Sequence, residues 1–487
     1  MSWFSQEHYW LTRFCFQRAM GFLYLVAFLV ASNQYLPLLG REGLLPVKSF
    51  LKRIQFRDAP SLLFLNCSDR FISLLIWCGL GLSVMATLGI ADAHGLAISM
   101  AVWGLLWLIY LSLVNSGQVF YGYGWESLLL ECGFLTIFFG SSDTRAPAAI
   151  RWLLLWVLFR LMFGAGLIKL RADPCWRDLT CMFYHFETQP LPNPLSRSFH
   201  HLPKFMLKGA VLMNHFVELV VPWFLFAPPP ICYVAGGLNI LFQVLLIVSG
   251  NLSWLNYLTL ALCIPCFDDG FLLRFISLRP SAPESSVPVH VGIVAIVTVL
   301  LLLLSIRPAL NLFSRQQLMN ASFEPFHLVN TYGAFGGITR QRLEIIIEGT
   351  NADPPQETSE WRPYEFKGKP GDVKRRPCIV APYQYKLDWQ MWFAAMSSSW
   401  KNSWILTLVD KLLTGDRKIM ALLAVNPFPG NPPKFIRAEL YEYQFTKAGD
   451  RSGNWWERKR VGEYLRPLSL QDADLDLLLH MQGTRQS

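Results

Sequence analysis

Long apolar runs with few charges recur through the first 310 residues of this 487-residue chain. A helix needs about 20 residues to cross the hydrocarbon core of a bilayer, and these runs are too uniformly apolar for alternating barrel strands. They predict a polytopic α-helical membrane domain with about eight or nine hydrophobic segments. The fourth and eighth are short and are candidates for re-entrant or interfacial helices. The candidate segments are 20–36, 71–90, 96–114, 126–140, 152–170, 210–227, 231–249, 252–267 and 291–306.

The composition also favours a membrane protein, with the lipid bilayer as a partner. Only 16% of the residues are charged, whereas soluble domains carry about 25%. The formal net charge of +9 is typical of loop cations beside membrane spans, where they set topology and meet anionic head groups. The chain has no basic stripe of the kind that binds nucleic acid, so we expect no nucleic-acid partner.

The character of the sequence changes after Pro308. Residues 343–348 and 435–445 are rich in β-branched and aromatic residues with partial alternation, which predicts strands. Three short helices are predicted between these strands, at 387–396, 403–413 and 416–424. We therefore predict a membrane domain at 1–309 and a soluble, strand-rich α+β domain at 310–487.

Two long polar connections, 37–70 and 171–208, separate the apolar runs. If all nine segments cross the membrane, both connections and the C-terminal domain lie on one side. That side also carries most of the loop cations, and the positive-inside rule then places it in the cytoplasm.

Ionisable residues inside the apolar runs are the first candidates for a functional site, because charges at membrane depth are rare and costly. His215 and Glu218 are three residues apart and share a helix face, which suits a proton-handling or metal site. The alternative is pairing between helices, for example of Lys169 or Arg160 with a glutamate. Lys169 ends its run and could also snorkel to the interface as an anchor.

The 171–208 connection contains residues that are capable of binding metal, namely His185, Glu187 and a His-His pair at 200–201. Their spacing fits no zinc pattern, and we predict no metal and no cofactor. Cys175 and Cys181 could form a disulfide in an oxidising compartment, or remain thiols in a reducing one.

Enzyme signatures are absent: the sequence has no G-x-S-x-G, P-loop, H-E-x-x-H or Rossmann glycine pattern. The C-x-x-C at 263–266 closes an apolar run and lacks the strand and helix of a redox site. We therefore predict no catalytic residue. Aromatic residues of the C-terminal domain could build its core or a protein interface. The candidate binding residues are Lys169, His185, Glu187, His215, Glu218, Tyr383, Tyr385, Asp388, Trp389 and Trp392.

Motifs along nearly the whole chain carry a family resemblance. They are GLLP (43–46), WESLLLE (125–131), GAGLIK (164–169), CWRDLTC (175–181), HFETQP (185–190), NHFVE (214–218), SGNLS (249–253), VNTYGAFG (329–336), YEFK (364–367), KPGD (369–372), RRPC (375–378), LDW (387–389), MWFAA (391–395) and NPF (426–428). In these motifs the chain resembles the lipase maturation factor family.

The resemblance implies a multi-pass protein of the endoplasmic reticulum membrane. Such proteins help newly made secreted homodimeric lipases, such as lipoprotein lipase, to fold and assemble into dimers, and they are chaperone-like rather than lipases. The resemblance also implies a cytosolic N-terminus, with 171–208 and the C-terminal domain in the lumen. This is opposite to the loop-charge count, and we follow the family because folded translocated segments escape the charge rule. A compact chain would also suit a bacterial relative in the inner membrane.

A fainter resemblance concerns the membrane half alone. GLIK at 166–169, followed by a tryptophan and a loop with histidines, is similar to the membrane domain of vitamin K-dependent carboxylases. That similarity implies a membrane-embedded enzyme with Lys169 as its base, which is the rival hypothesis. A transporter is a third class, although no paired halves are visible.

Overall fold

The computed structural model describes residues 9–278, 287–397 and 402–472, together with Leu475. Residues 476–487 of the predicted C-terminal domain lie outside the described part. The helices of the first 313 residues are α1 Trp10–Leu39, α2 Val47–Leu51, α3 Asp69–Leu88, α4 Ile90–Ala93, α5 Leu96–Ser116, α6 Gly124–Ile137, α7 Ala148–Ala172, α8 Pro174–Arg177, α9 Met182–Thr188, α10 Ser196–His200, α11 Lys204–His215, α12 Ile231–Ser249, α13 Leu255–Cys263, α14 Asp269–Leu272, α15 Pro288–Leu304 and α16 Ile306–Phe313.

Seven helices in the described part of the chain are long and apolar enough to cross a membrane. Two shorter helices, α6 and α13, lie among them. With 14 residues, α6 is about 21 Å long at 1.5 Å per residue. The seven are Trp10–Leu39, Asp69–Leu88, Leu96–Ser116, Ala148–Ala172, Lys204–Phe226, Ile231–Ser249 and Pro288–Phe313.

One end of the helical bundle, which we term the N-terminal face, is defined by contacts of the first helix. The backbone N–H of Trp10 donates to Asp269 (2.9 Å), and Gln17 donates to the carbonyl of Gly140 (2.8 Å). The hydroxyl of Thr12 donates to the carbonyl of Phe267 (2.7 Å). The ends of α6 and α13 therefore lie at this face.

The opposite end, the loop face, carries the long connections and the C-terminal domain. Asn115 donates to the carbonyl of Pro325 (3.0 Å), and Asn251 donates to that of Cys378 (2.8 Å). Trp254 donates to the carbonyl of Trp125 (3.4 Å), so α13 and α6 both begin here. In the described residues, the seven long helices with α6 and α13 thus cross the bundle nine times. These nine helices correspond to the predicted hydrophobic segments, and α6 and α13 are the two short ones.

The first two long helices pack closely because glycines face their partner. A Cβ added at Gly21 of α1 would lie 2.6 Å from the backbone nitrogen of Thr87, and one at Gly79 of α3 would overlap the ring of Phe28. Small residues of this kind let membrane helices approach without voids. Ser68 caps the start of α3 by accepting from the Phe71 N–H.

The C-terminal domain is built on an antiparallel sheet in which the strands lie in the order Arg362–Pro363, Arg342–Thr350, Phe435–Phe445 and Trp456–Leu468. In register, Ile345 faces Leu440 across the central pair of strands. The sequence predicted both central strands. The predicted helix at 416–424 is wrong in its second half, because 423–425 pairs with β3 as a strand. The elements are β1 Arg342–Thr350, β2 Arg362–Pro363, β3 Glu365–Phe366, α17 Lys386–Ala395, α18 Ser403–Leu413, α19 Arg417–Met420, β4 Leu423–Val425, β5 Phe435–Phe445 and β6 Trp456–Leu468.

Candidate functional site

A buried cavity lies near the loop face, between the C-terminal half of α7 and helices α11, α12 and α13. Its volume is about 60 Å³, and Lys169, His185, Glu218, Gln243 and Asn256 are among the residues that line it. A wider cleft of about 270 Å³ adjoins it and shares apolar walls with it. The shared residues are Leu161, Ala165, Leu252, Leu255, Ala334 and Phe335.

An ion pair occupies the polar end of this cavity. The Nζ of Lys169 donates to Glu218 Oε1 (2.5 Å) and to Asn214 Oδ1 (3.0 Å), while Asn214 Nδ2 donates to Glu218 Oε2 (2.9 Å). Both charged residues are buried, and the ammonium lies 5.0 Å from the ring centre of Trp176. The snorkelling interpretation of Lys169 is therefore wrong, because its side chain turns into the protein. The arrangement is the pairing between helices that the sequence left as an alternative.

The helix that carries Glu218 changes geometry at this point. A π-type turn over Phe216–Val220 follows α11, and such wider turns are frequent at functional sites. His215 points elsewhere, since its Nε2 lies 3.0 Å from the backbone carbonyl of Trp176, where a ring N–H can donate. The structure therefore does not bring His215 and Glu218 together as a proton-handling or metal pair.

The predicted cysteine pair lies just after α7. Cys175 and Cys181 are joined in a disulfide, with Cα atoms 4.8 Å apart. Among the described residues, Asp173 and these two cysteines form the one group of three metal-capable side chains. The disulfide occupies both sulfurs, and Arg340 donates to Asp173 (2.8 Å). This hydrogen bond lowers the pKa of Asp173 to about 2. The group is thus a covalent and ionic tie rather than a metal site.

A second buried network holds the segment after the last long helix. Arg160 forms an ion pair with Glu131, whose Oε2 accepts from the Asn330 N–H (3.0 Å) and from the Tyr332 hydroxyl (2.6 Å). This network fixes the 329–336 motif against α6 and α7, and so places Phe335 in the cavity wall. The segment 329–336 therefore packs on the membrane helices, although it belongs to the predicted C-terminal domain. The domain boundary between residues 309 and 310 stays a prediction.

A third buried pair joins α17 to the helical bundle. Lys386 Nζ donates to Glu126 Oε1 (2.7 Å) and to the carbonyl of Phe120 (3.1 Å), and both charged side chains are fully buried. Sequence reasoning missed Lys386, because its position at the start of a soluble helix gave no sign of a partner 260 residues away.

Helix α17 places the predicted tryptophans at the cleft. Trp389 packs edge-on against Trp125 with ring centres 4.9 Å apart, and Trp392 donates to the carbonyl of Thr188 (3.1 Å). Phe393 on the same helix is 42% exposed, and Met396, which directly follows the helix, is 43% exposed. We define the α17 surface as Met319, Trp392, Phe393 and Met396, all of which border this cleft or the neighbouring one beside His185.

Three further predicted residues lie apart from the cavity. The hydroxyl of Tyr383 accepts from Gln34 (3.1 Å) near the end of α1, and Tyr385 packs 5.3 Å from Tyr383. Asp388 Oδ1 accepts from the backbone N–H of Lys369 (3.0 Å), and burial raises the pKa of this carboxyl. Tyr383 thus joins the C-terminal domain to α1, whereas Asp388 is bonded within the C-terminal domain.

The 171–208 connection is bound to the C-terminal sheet. Glu187 Oε2 accepts from the Phe445 N–H (2.7 Å), and Arg197 donates to the carbonyl of Thr446 (3.1 Å). His200 lies 3.6 Å from Glu187, but burial lowers the pKa of His200 to about 4, so at neutral pH this contact is not an ion pair. The connection and the sheet therefore form one continuous body on the loop face.

In the described part of the chain, the seven helices that are long and apolar enough to cross a membrane define a multi-pass membrane protein. The family model of the lipase maturation factor transmembrane domain matches residues 11–274, and that of the lipase maturation factor C-terminal domain matches residues 328–466. The chain belongs to the lipase maturation factor family.

Individual relatives match over almost the full length. Lipase maturation factor 1 of Bos taurus is 45% identical over 95% of this chain and 90% of the relative. Lipase maturation factor 1 of Homo sapiens is 45% identical over 95% and 89%, respectively. Lipase maturation factor 2 of Xenopus laevis is 30% identical over 98% of this chain and 85% of the relative. No solved structure matches significantly.

Proposed function

We propose that this chain is a membrane-bound, chaperone-like maturation factor that assists the folding and dimer assembly of secreted homodimeric lipases. The observation that carries the proposal is 45% identity over 95% of the chain to relatives named lipase maturation factor 1. The role is non-catalytic: the factor binds an incompletely assembled lipase and releases it after assembly.

The α17 surface is the proposed contact with the lipase. An unassembled subunit exposes the apolar patch that its dimer interface will bury, and methionine with aromatic side chains adapts to such patches. Phe393 and Met396 supply these side chains in exposed positions. The buried pair of Lys386 and Glu126 holds their helix against the bundle, so the surface is presented by a rigid element.

The proposed location is the endoplasmic reticulum membrane, with the loop face in the lumen. The disulfide of Cys175 and Cys181 lies on the loop face, and structural disulfides persist in oxidising compartments such as that lumen. This observation supports the orientation that the family resemblance implies. The loop cations oppose it, but folded segments are translocated largely regardless of charge.

The test is complementation in secretory cells that lack their own maturation factor and express a homodimeric lipase. The double variant Phe393→Asp with Met396→Asp should lower secreted lipase activity at least about tenfold, because two charges disrupt an apolar contact worth a few kcal/mol. Val461→Asp is the matched control, since Val461 is an exposed apolar residue on β6 of the same domain. Normal secretion with the double variant, at equal protein level, would overturn the proposed surface.

Substitutions on the α17 surface test lipase binding more specifically than a truncation of the C-terminal domain does. Deleting 320–487 would remove Asn330 and Tyr332, which bind Glu131, and Lys386, which neutralises Glu126. Two carboxylates would then be buried without these partners, and the membrane half would be destabilised for reasons unrelated to lipase binding.

A further inference from the structure

Three side chains line the cavity of about 60 Å³ that contains Lys169 and Glu218, and they have hydrogen-bonding capacity that the described residues do not use. Asn256 is 3% exposed and makes no side-chain hydrogen bond to another described residue. Gln243, also 3% exposed, donates only toward the thioether of Met162 at 3.7 Å, a weak acceptor. The ring nitrogens of His185 have no hydrogen-bond partner in the part of the chain described.

Such groups have a reason to be in an apolar interior only if something bonds to them. A polar group in an apolar interior is unfavourable unless it is hydrogen-bonded. The three come from separate elements, α9, α12 and α13, and line the same cavity. Their convergence is the pattern of a ligand site, in which a few polar groups orient a molecule within an apolar wall.

The charge balance of the cavity selects an uncharged ligand. The charges of Lys169 and Glu218 neutralise one another, and Asn214 bonds to both. Burial and the nearby Lys169 lower the pKa of His185 to about 4, so its ring is neutral at physiological pH. A ligand with a net charge would therefore be buried without a counter-ion, which is strongly unfavourable.

The shape of the site indicates that the ligand also has an apolar tail. The polar cavity and the wider cleft lie side by side and share the walls of Leu161, Ala165, Leu252, Leu255 and Phe335. The cleft extends toward Trp389 and Trp392 and is more than four times as large as the polar cavity, at about 270 Å³ against about 60 Å³.

We propose that these two adjoining cavities together bind an uncharged single-chain lipid with a hydroxyl-bearing ester head group, of the monoacylglycerol class. The head group bonds to Asn256, Gln243 and His185, whose amides and neutral imidazole both donate and accept, as hydroxyl and ester groups require. The acyl chain lies along the Leu161, Ala165 and Leu255 walls. The cleft that takes the acyl chain shares Met319, Trp392 and Phe393 with the α17 surface, so the binding experiment is carried out without a lipase.

The experiment uses the purified full-length protein in detergent and a photoactivatable monoacylglycerol that carries a diazirine in its chain and an alkyne for detection. The label should map to α7, α13 and α17. Unlabelled monopalmitoylglycerol should displace it, whereas palmitate, with the same chain and a carboxylate, should compete at least about tenfold less well. Equal competition by palmitate, or label spread evenly over the lipid-facing helices, would overturn the proposal.

Variants of the cavity provide the second arm. Asn256→Leu with Gln243→Leu should reduce specific labelling about tenfold, because two hydrogen bonds to the head group are lost. Ala165→Phe should block labelling by filling the shared wall without removing a polar group. Asn239→Leu is the matched control, since Asn239 is a buried amide one turn earlier on α12, donates to Ala235 of its own helix and is not among the residues that line the cavity. Unchanged labelling in folded Ala165→Phe would show that the cavity holds only water, and would refute the site.

Discussion

At the scale of single residues, three buried carboxylates organise the loop-face end of the helical bundle. Glu126 pairs with Lys386, Glu131 with Arg160, and Glu218 with Lys169. Each pair joins segments that are distant in the sequence. A buried pair contributes little net stability by itself, but removing one partner costs about 3–5 kcal/mol because the other charge is left uncompensated. The pairs therefore specify which segments meet.

Substitutions of Lys169 distinguish a role in ion pairing from a role as a base. A base needs a neutral amine, and a neutral Lys169 would leave the Glu218 carboxylate buried without its cation. Lys169→Arg keeps the charge and should retain normal protein level and most lipase-maturation activity, whereas Lys169→Glu sets two carboxylates together and should destabilise the protein by at least about 3 kcal/mol. The measurements are thermal unfolding in detergent and secreted lipase activity. Complete loss of activity in folded Lys169→Arg would instead favour a lysine-based reaction.

Buried histidines make stability depend on pH. Burial lowers the pKa of His185, His200 and His327 to about 4, against about 6.5 in an unfolded chain. Between these values the unfolded state binds more protons, so the stability that is present above pH 6.5 is lost as the pH falls toward 4. The melting temperature should drop over this window.

His327 offers a way to test the origin of this dependence. Its ring lies 3.0 Å from Asn115 Oδ1 and 3.2 Å from the hydroxyl of Ser127, contacts that a neutral imidazole satisfies. His327→Gln should flatten the decline in melting temperature between pH 6.5 and 4, while His94→Gln, at an exposed position, should leave it unchanged. An identical decline in both variants would exclude His327 as a contributor.

At the scale of elements, α17 is attached to the bundle by the buried ion pair of Lys386 with Glu126, by hydrogen bonds of Lys386 and Gln390, and by aromatic contacts of Trp389. Lys386→Met should leave Glu126 unpaired and release α17, so limited proteolysis should cut the chain between the bundle and the C-terminal sheet. Glu126→Leu with Lys386→Met should recover most of the resistance, because no charge remains buried at that contact. Lys374→Met, at an exposed lysine, is the control. Equal resistance of all three variants would contradict the attachment.

The helical elements were predictable because apolar length alone decides what crosses a bilayer. The nine runs and both central strands follow from composition and periodicity. The strand at Leu423–Val425 could not be predicted in this way, since it depends on pairing with Phe366. The partner of Lys169 could not be predicted from the sequence either. Glu218 lies 49 residues away on a π-type turn, and no local sequence pattern indicates such a turn.

At the scale of the whole molecule, the nine crossings place the N-terminal face and the loop face at opposite ends. Both long connections, the 329–336 segment and the C-terminal sheet meet on the loop face, as the segment count predicted. The sequence could not give their mutual packing, because that depends on contacts such as those of Glu187 with Phe445 and of Lys386 with Glu126. The result is a rigid body with the α17 surface exposed.

The most direct test of this account is a photocrosslink formed in living secretory cells. A photoactivatable phenylalanine analogue at position 393 should crosslink to a newly made homodimeric lipase before dimer assembly, and not to the mature dimer. The same analogue at position 461, on β6, should give no such product. Absence of the crosslink at 393, or equally strong capture of the mature dimer, would contradict a maturation factor that acts through the α17 surface.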